Sequence, residues 1–384
     1  MTIDKPSRRQ FLRSAIGIYT GVIVGTAWSN HAQRLYVGTY TNTAAKSEGI
    51  YSYLMDPDTG ALSRAGSFKS DNPSFLTIDA SRRFLYAVNE IGDFLGKPSG
   101  GVSAYAIDKL GNLRLLNEQA TQGADPCYLT IDEKKRTLLV ANYTGGNVSV
   151  LPVRSDGTLG MVSEVQQHEG SGPKEQQKGP HAHCIILDRS QRHALSADLG
   201  IDKVLIYNFD RATGKLTPGK QPFAELQPGA GPRHLAFHPS GKYLYVISEL
   251  DSSLAAFKYN EQDGTLTHID TVSALPSDFS GASYCADVHV STSGKFLYGS
   301  NRGHNSIVVF EIDSGSGKLK LVEHVSTQGD WPRNFTLDPS GKFLLVANQR
   351  SDNVVSFSID AQTGRLKPTG HIESIPAPVC LKFL

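Results

Sequence analysis

The sequence is short of cysteine, short of methionine and tryptophan, and has no dominant charge. Its four cysteines, Cys127, Cys184, Cys285 and Cys380, lie far apart and never form CxxC. That spacing removes metal-knuckle and thioredoxin-like chemistry and offers no disulfide framework, so the four read as buried free thiols. The 38 Lys and Arg are balanced by 37 Asp and Glu, and no long basic run stands out. Nucleic acid is thereby excluded as a main partner, as is a polybasic membrane anchor, because both need a concentrated cationic face. What is abundant is glycine, at 37 residues, with 19 prolines punctuating short apolar bursts. A chain of 384 residues built this way holds two or three ordinary domains or one large repetitive one.

The N-terminus differs from the rest. IGIYTGVIVGTA, residues 16–27, is an uncharged, mostly apolar stretch of 12 residues, too short for a membrane span. It follows SRRQFLRSA, where Arg8 and Arg9 precede Phe11 and Leu12 in the manner of a twin-arginine export signal. The expectation is a signal peptide over residues 1–32, cleaved after Ala27 or Ala32. The mature protein is then periplasmic or secreted, with no stable membrane insertion. The competing reading is an uncleaved anchor or a chance apolar start.

Beyond residue 32 one pattern returns. SFLTIDASRRFLYAVNE, CYLTIDEKKRTLLVANY, HCIILDRSQRHALSADL, GPRHLAFHPSGKYLYVISEL and RNFTLDPSGKFLLVANQ all read as apolar run, polar turn, apolar run. Aligned on the inner "LY", the equivalent positions are Tyr36, Tyr86, Leu139, Leu195, Tyr245, Tyr298 and Leu345, spaced 47 to 56 residues apart. Each repeat continues through an alternating strand such as VLIYNFD, a D-x-x-T/S-G-x-L turn and one more short strand. Four antiparallel strands at this period predict an all-β, seven-bladed β-propeller over 33–384, a single domain. The chain enters at a second strand, RLYVGTY, and stops after a first strand, PVCLKFL. The C-terminal strand therefore joins the N-terminal blade and closes the ring, a self-contained arrangement that favours a monomer. The longest insertion, residues 166–180, is polar and precedes His181 and His183; it is either a flap over one face or a solvated loop.

In a propeller the first strand of each blade lines the central channel, and its start lies beside the end of the second strand at one mouth. The strand-one starts are Ser74, Cys127, His183, Arg233, Ala286, Arg333 and Val379. The strand-two ends are Tyr40, Glu90, Tyr143, Leu199, Glu249, Arg302 and Gln349. His183, Arg233, Glu249, Arg302 and Arg333 come from successive repeats, so their charges gather in a partly desolvated funnel. Charges held there are either paired with one another as a structural network or used on a ligand. Three arginines against one or two carboxylates leave cationic capacity for an anion. Glu90, on this alignment, falls in the opposite half of the ring. Tyr40 and Tyr143 either stack on a sugar or plug the channel, and His181 either joins the site or only shapes the GPHAH turn. The cluster lacks two histidines plus a carboxylate at ligand spacing, so no metal and no other cofactor is expected.

The pieces YVGTYT, GPHAHC, GPRHLAFHPSGKYLYVISEL and YGSNRGHNSI resemble the lactonase family of seven-bladed propellers, which includes propeller-type 6-phosphogluconolactonase and a fungal muconate-lactonising enzyme. The resemblance spans residues 35–384, and in that family a histidine, two arginines and a glutamate at the mouth are proposed to form the active site. The counterparts here look like His183, Arg233, Glu249 and Arg302, with His181 as the second possibility for the histidine. The resemblance implies metal-free opening of a small sugar lactone by water, with or without a phosphate on the substrate. On this reading His183 acts as general base, Glu249 orients His183 or Arg233, Arg233 and Arg302 hold the oxyanion, and Arg333 binds a carboxylate or phosphate; the swapped assignment, with Glu249 as base, stays open. His181, Gln349, Tyr143 and Glu90 complete the binding residues. Two other readings stay open: a non-catalytic propeller that binds a partner or polysaccharide, and a lactonising or isomerising enzyme.

Overall fold

The computed structural model describes residues 32–44, 46–132 and 137–384, so the expected signal segment lies outside the described residues except for Ala32. Strands dominate because the apolar runs are short, alternate, and end at Asp, Gly and Pro turns. They form seven four-stranded antiparallel sheets, and the expected seven-bladed propeller is the observed fold. Blade 1 joins the C-terminal strand Pro378–Phe383 to Gln33–Thr39, Gly49–Met55 and Leu62–Lys69. Blades 2 to 7 then follow in chain order, over residues 76–120, 126–167, 182–225, 232–273, 284–326 and 332–374. Among the described residues no helix is long and apolar enough to cross a membrane.

The core is as cyclic as the repeat. Seven clusters of buried apolar side chains each fill the space between two adjacent blades; Leu35 and Val37 of blade 1, for example, pack with Phe343 and Leu345 of blade 7. No blade buries both its faces without neighbours, so burial itself drives the ring closed. Hydrogen bonds staple the blades as well. The hydroxyls of Tyr36, Tyr86, Tyr245 and Tyr298 donate to the carbonyls of Gly111, Gly157, Gly317 and Gly364 in the following blade, at 2.8 to 3.1 Å. Ser356 does the same from blade 7 to Gly60 of blade 1, at 2.8 Å. The turn glycine is required: Gly317 has φ +76°, and an added Cβ would lie 2.5 Å from the Tyr243 ring.

One local irregularity aims the site. In blades 3, 4, 5 and 7 the pairing of first and second strands skips a residue, at Cys127, His183, Arg233 and Arg333 respectively. In blade 6 it skips two, Ala286 and Asp287. In blade 1 it skips Val379. These β-bulges sit at the positions aligned from the repeat, and a bulged residue leaves the pleat and turns toward the channel mouth. In blade 2 the first strand is only Leu76–Ile78, so Ser74 stands outside the ladder.

The insertion over 166–180 is a largely exposed segment pinned at a few points. Gln166 and Gln167 belong to the outer strand of blade 3. Gln177 is fully buried, its amide donating to Leu199 O at 2.8 Å and Asp202 Oδ1 at 2.7 Å. All four cysteines are buried free thiols.

Replacing Tyr245 with Phe removes one inter-blade staple and leaves Gly317 O without its donor. The expected loss is about 1–3 kcal/mol of unfolding free energy, read from the urea midpoint. An unchanged midpoint contradicts a stapling role.

Candidate active site

Glu249 is the centre of the mouth. Its Oε2 accepts from Arg233 Nε at 3.0 Å and lies 2.7 Å from Arg302 Nη2, so one carboxylate oxygen holds two guanidiniums from neighbouring blades. Burial pushes the Glu249 carboxyl up, but Arg302, Arg233 and Arg333 outweigh it and hold the group below the usual carboxylate range. Arg233 is buried, and its value falls to about 10 through burial and the repulsion of Arg302 and Arg333; it stays charged at neutral pH. Arg302 is fixed from behind, donating to the carbonyls of Tyr284 at 3.1 Å and Cys285 at 3.2 Å.

His183 sits on the next blade, 4% exposed. Its ring meets Tyr143 edge-on at 5.5 Å and His234 at 5.3 Å, and its Nδ1 lies 3.7 Å from Cys127 Sγ. Burial, then Arg233, His234 and Arg333, push its value well below that of an ordinary histidine, so the ring is neutral and able to accept a proton. Cys127 is held as the thiol, chiefly by burial and also by Glu90. His181 faces elsewhere: it stacks on Tyr143 at 4.5 Å, and its Nδ1 contacts Tyr143 O at 3.0 Å. Its backbone N–H donates to Asp198, whose other oxygen meets His168 of the insertion at 2.6 Å. The insertion thus braces the turn that carries both histidines.

The remaining expected residues form a second half of the mouth. Tyr40 donates to Glu90 Oε1 at 2.8 Å, and Arg333 Nη2 lies 3.9 Å from that oxygen with its guanidinium 5.2 Å from the Tyr40 ring. Glu90 is therefore within reach of the arginine cluster and not across the ring from it, because only blade 1 separates blade 2 from blade 7. Gln349 stands one residue past the Pro332–Asn348 pair, with its N–H on Trp331 O at 3.0 Å.

Five residues of this region were missed in the sequence. Asp287, the second residue of the blade 6 bulge, is buried and accepts from His234 Nδ1 at 2.8 Å, His289 Nε2 at 3.1 Å and Asn334 Nδ2 at 2.5 Å. His234 Nε2 lies 3.1 Å from Arg233 Nη1, so Asp287 orients His234 and His234 backs Arg233. Phe75 and Tyr128, stacked at 4.0 Å, meet His234 edge-on and help close the channel beneath the mouth. The fifth, Trp331, lies at the rim with Arg350 3.4 Å and Arg302 5.3 Å from its ring. A lone tryptophan before a proline-arginine pair was the signal available for it. Among the described residues no three His, Cys, Asp or Glu side chains converge to hold a metal ion.

Comparison with known proteins places these features in context. The family model "Lactonase, 7-bladed beta-propeller" matches residues 34–383. A 6-phosphogluconolactonase of Bacillus subtilis strain 168 is 42% identical over 352 residues, covering 91% of this chain and 97% of that protein. A second protein of that name, from Formosa agariphila, is 36% identical over 312 residues, 79% of this chain and 86% of its own length. Among solved structures, the Pseudomonas aeruginosa periplasmic gluconolactonase superposes with TM-score 0.86 at 35% identity, covering 92% of this chain and 99% of that one.

The buried histidine beneath the mouth makes stability depend on pH. His234 has its value lowered to about 4 by burial and by Arg233, against the pull of Asp287. Because the folded value lies below the unfolded one, the unfolded chain takes the proton first. This contribution is full above about pH 6.5 and is lost as pH falls toward 4. The melting temperature is expected to drop across that window, and His234→Gln to flatten the drop. An equal drop in the variant contradicts the assignment.

Proposed function

The chain belongs to the lactonase family of seven-bladed β-propellers, and from that premise we propose that it hydrolyses a sugar lactone to the open-chain acid at the mouth of its channel. The observation that carries this reading is the single Glu249 oxygen that holds Arg233 and Arg302 together at the mouth, with a neutral His183 in the field of Arg233. The relatives named for 6-phosphogluconolactone and gluconolactone hydrolysis support the chemistry.

Water attacks the lactone carbonyl while His183 accepts its proton, and a C–O bond forms. Negative charge gathers on the former carbonyl oxygen, where Arg233 and Arg302 stabilise it. That charge offsets the arginines' field at His183 and raises its proton affinity as the proton arrives, which compensates for the weak basicity of the resting imidazole. The ring C–O bond then breaks, the electron pair goes to the ring oxygen, and His183 returns the proton to it. Glu249 keeps the two guanidiniums together despite their repulsion. Its own depressed value makes it a poor base and a good orienter. His181, held on Tyr143, supports the turn.

Export completes the reading. Arg8 and Arg9 before the short apolar segment support a twin-arginine signal over residues 1–32, and the periplasmic relative supports the same compartment. We place the mature chain in the periplasm as a monomer.

Acid release from glucono-lactone, corrected for spontaneous hydrolysis, tests the assignment. His183→Ala and Glu249→Gln are expected to lower kcat by about 100- to 10,000-fold, and His181→Ala far less. Full activity in His183→Ala contradicts its role as base. No activity in the folded wild type contradicts the lactonase reading. A second expectation concerns pH: kcat/KM should hold below pH 6, where an ordinary histidine base would be protonated, because burial and the arginines lower the His183 value. A fall centred near about pH 6.5 contradicts that.

A further inference from the structure

Resting on the lactonase reading, we propose that Glu90, Gln349 and Ser74 form a hydroxyl-accepting subsite through which the chain selects a neutral polyhydroxylated lactone over its phosphate ester. Glu90 Oε2, Gln349 Oε1 and Ser74 Oγ are each buried and have no hydrogen-bond partner. Ser74 and Glu90 belong to blade 2 and Gln349 to blade 7, two of the blades whose inner strands meet at the mouth. Ser74 and Glu90 line one narrow cavity with Arg333 and Arg233. A buried polar atom without a partner costs about 1–3 kcal/mol, which a ligand group of matching character removes. The matching character here is a donor: a carboxylate oxygen and an amide oxygen only accept, and the serine hydroxyl accepts as well. Sugar hydroxyls donate. A phosphate dianion has no proton to give.

The charges point the same way. Arg233 and Arg302 already face Glu249. Arg333, the expected phosphate ligand, has Glu90 at 3.9 Å and its guanidinium over the Tyr40 ring. Every arginine of the cluster thus has an acidic partner, and a dianion brought to Arg333 meets the Glu90 carboxylate beside it. Like charges juxtaposed in a partly desolvated site are a strong selective device. Glu90 therefore has two roles in binding: it accepts from hydroxyls, and it repels phosphate.

The experiment measures kcat/KM for glucono-lactone and its 6-phosphate, corrected for spontaneous opening, in wild type, Glu90→Gln and Gln349→Glu. Wild type is expected to prefer the neutral lactone by about 10-fold or more. Glu90→Gln keeps the shape, removes the charge and replaces one acceptor by a donor. It should weaken the neutral substrate mainly through KM and improve the phosphate ester, narrowing the preference by about 10-fold. Gln349→Glu adds a second carboxylate without breaking an ion pair and should widen the preference; it carries the test if Glu90→Gln does not fold. Wild-type preference for the phosphate overturns the subsite and leaves the lactonase reading standing. Equal losses on both substrates in Glu90→Gln also overturn it, since a merely structural role moves both alike. Failure to hydrolyse either lactone overturns the reading beneath.

Discussion

Ring closure is the constraint on which the rest of the molecule depends. Residues 378–383 pair with Gln33–Thr39, so the first and last described strands share one sheet and no gap remains between blades 7 and 1. The apolar cluster of blades 7 and 1 then completes a core that is continuous around the axis. Closure also fixes the geometry of the mouth. Inner strands approach the axis together, so residues about fifty positions apart in sequence arrive within hydrogen-bond distance, as Tyr40 and Glu90 do at 2.8 Å.

The crowded axis has a charge problem, and the structure resolves it in layers. At the top, Arg233 and Arg302 share Glu249 Oε2, while Arg333 and Tyr40 share Glu90 Oε1. One layer down, Asp287 takes His234, His289 and Asn334. Burial pushes the Asp287 carboxyl up, yet the neighbouring His289 and the hydrogen bonds from His234 and His289 outweigh it and keep the carboxyl well below its usual range. His234 links the layers, neutral between Asp287 and Arg233. Breaking such a buried pair by removing one partner leaves a charge uncompensated, so these contacts hold the mouth rigid as well as charged. Rigidity of this kind is what an oxyanion site needs, since its donors must be in place before the charge develops.

Much of this was legible in the sequence because the repeat is regular. Position 245 in one blade predicts position 298 in the next, and the charged residues at strand ends follow from that count. His183, Arg233, Glu249, Arg302 and Arg333 were found this way. The limits have a physical cause too. A β-bulge adds one residue to a strand and carries no residue-type signature, yet it changes which side chains face the channel. Counting one residue per strand therefore took Ala286 and missed Asp287, although both are skipped in the pairing of blade 6. His234 was hidden for the same reason, as the residue after a bulge. Glu90 was misplaced because a linear list of blades hides that the last and first are neighbours. The insertion read as polar because its anchors are individual side chains, the buried Gln177 amide and His168 on Asp198, which composition does not reveal.

The central claim is that the upper mouth of the channel, and no groove between outer strands, is where the lactone is opened. A crystal structure of the mature chain with the open-chain acid product bound tests it most directly. The account predicts the product carboxylate between Arg233 and Arg302, with its hydroxyls toward Glu90 and Gln349. Product bound elsewhere, such as the outer groove lined by Leu226, Phe257 and His268, with the mouth unoccupied, would contradict it.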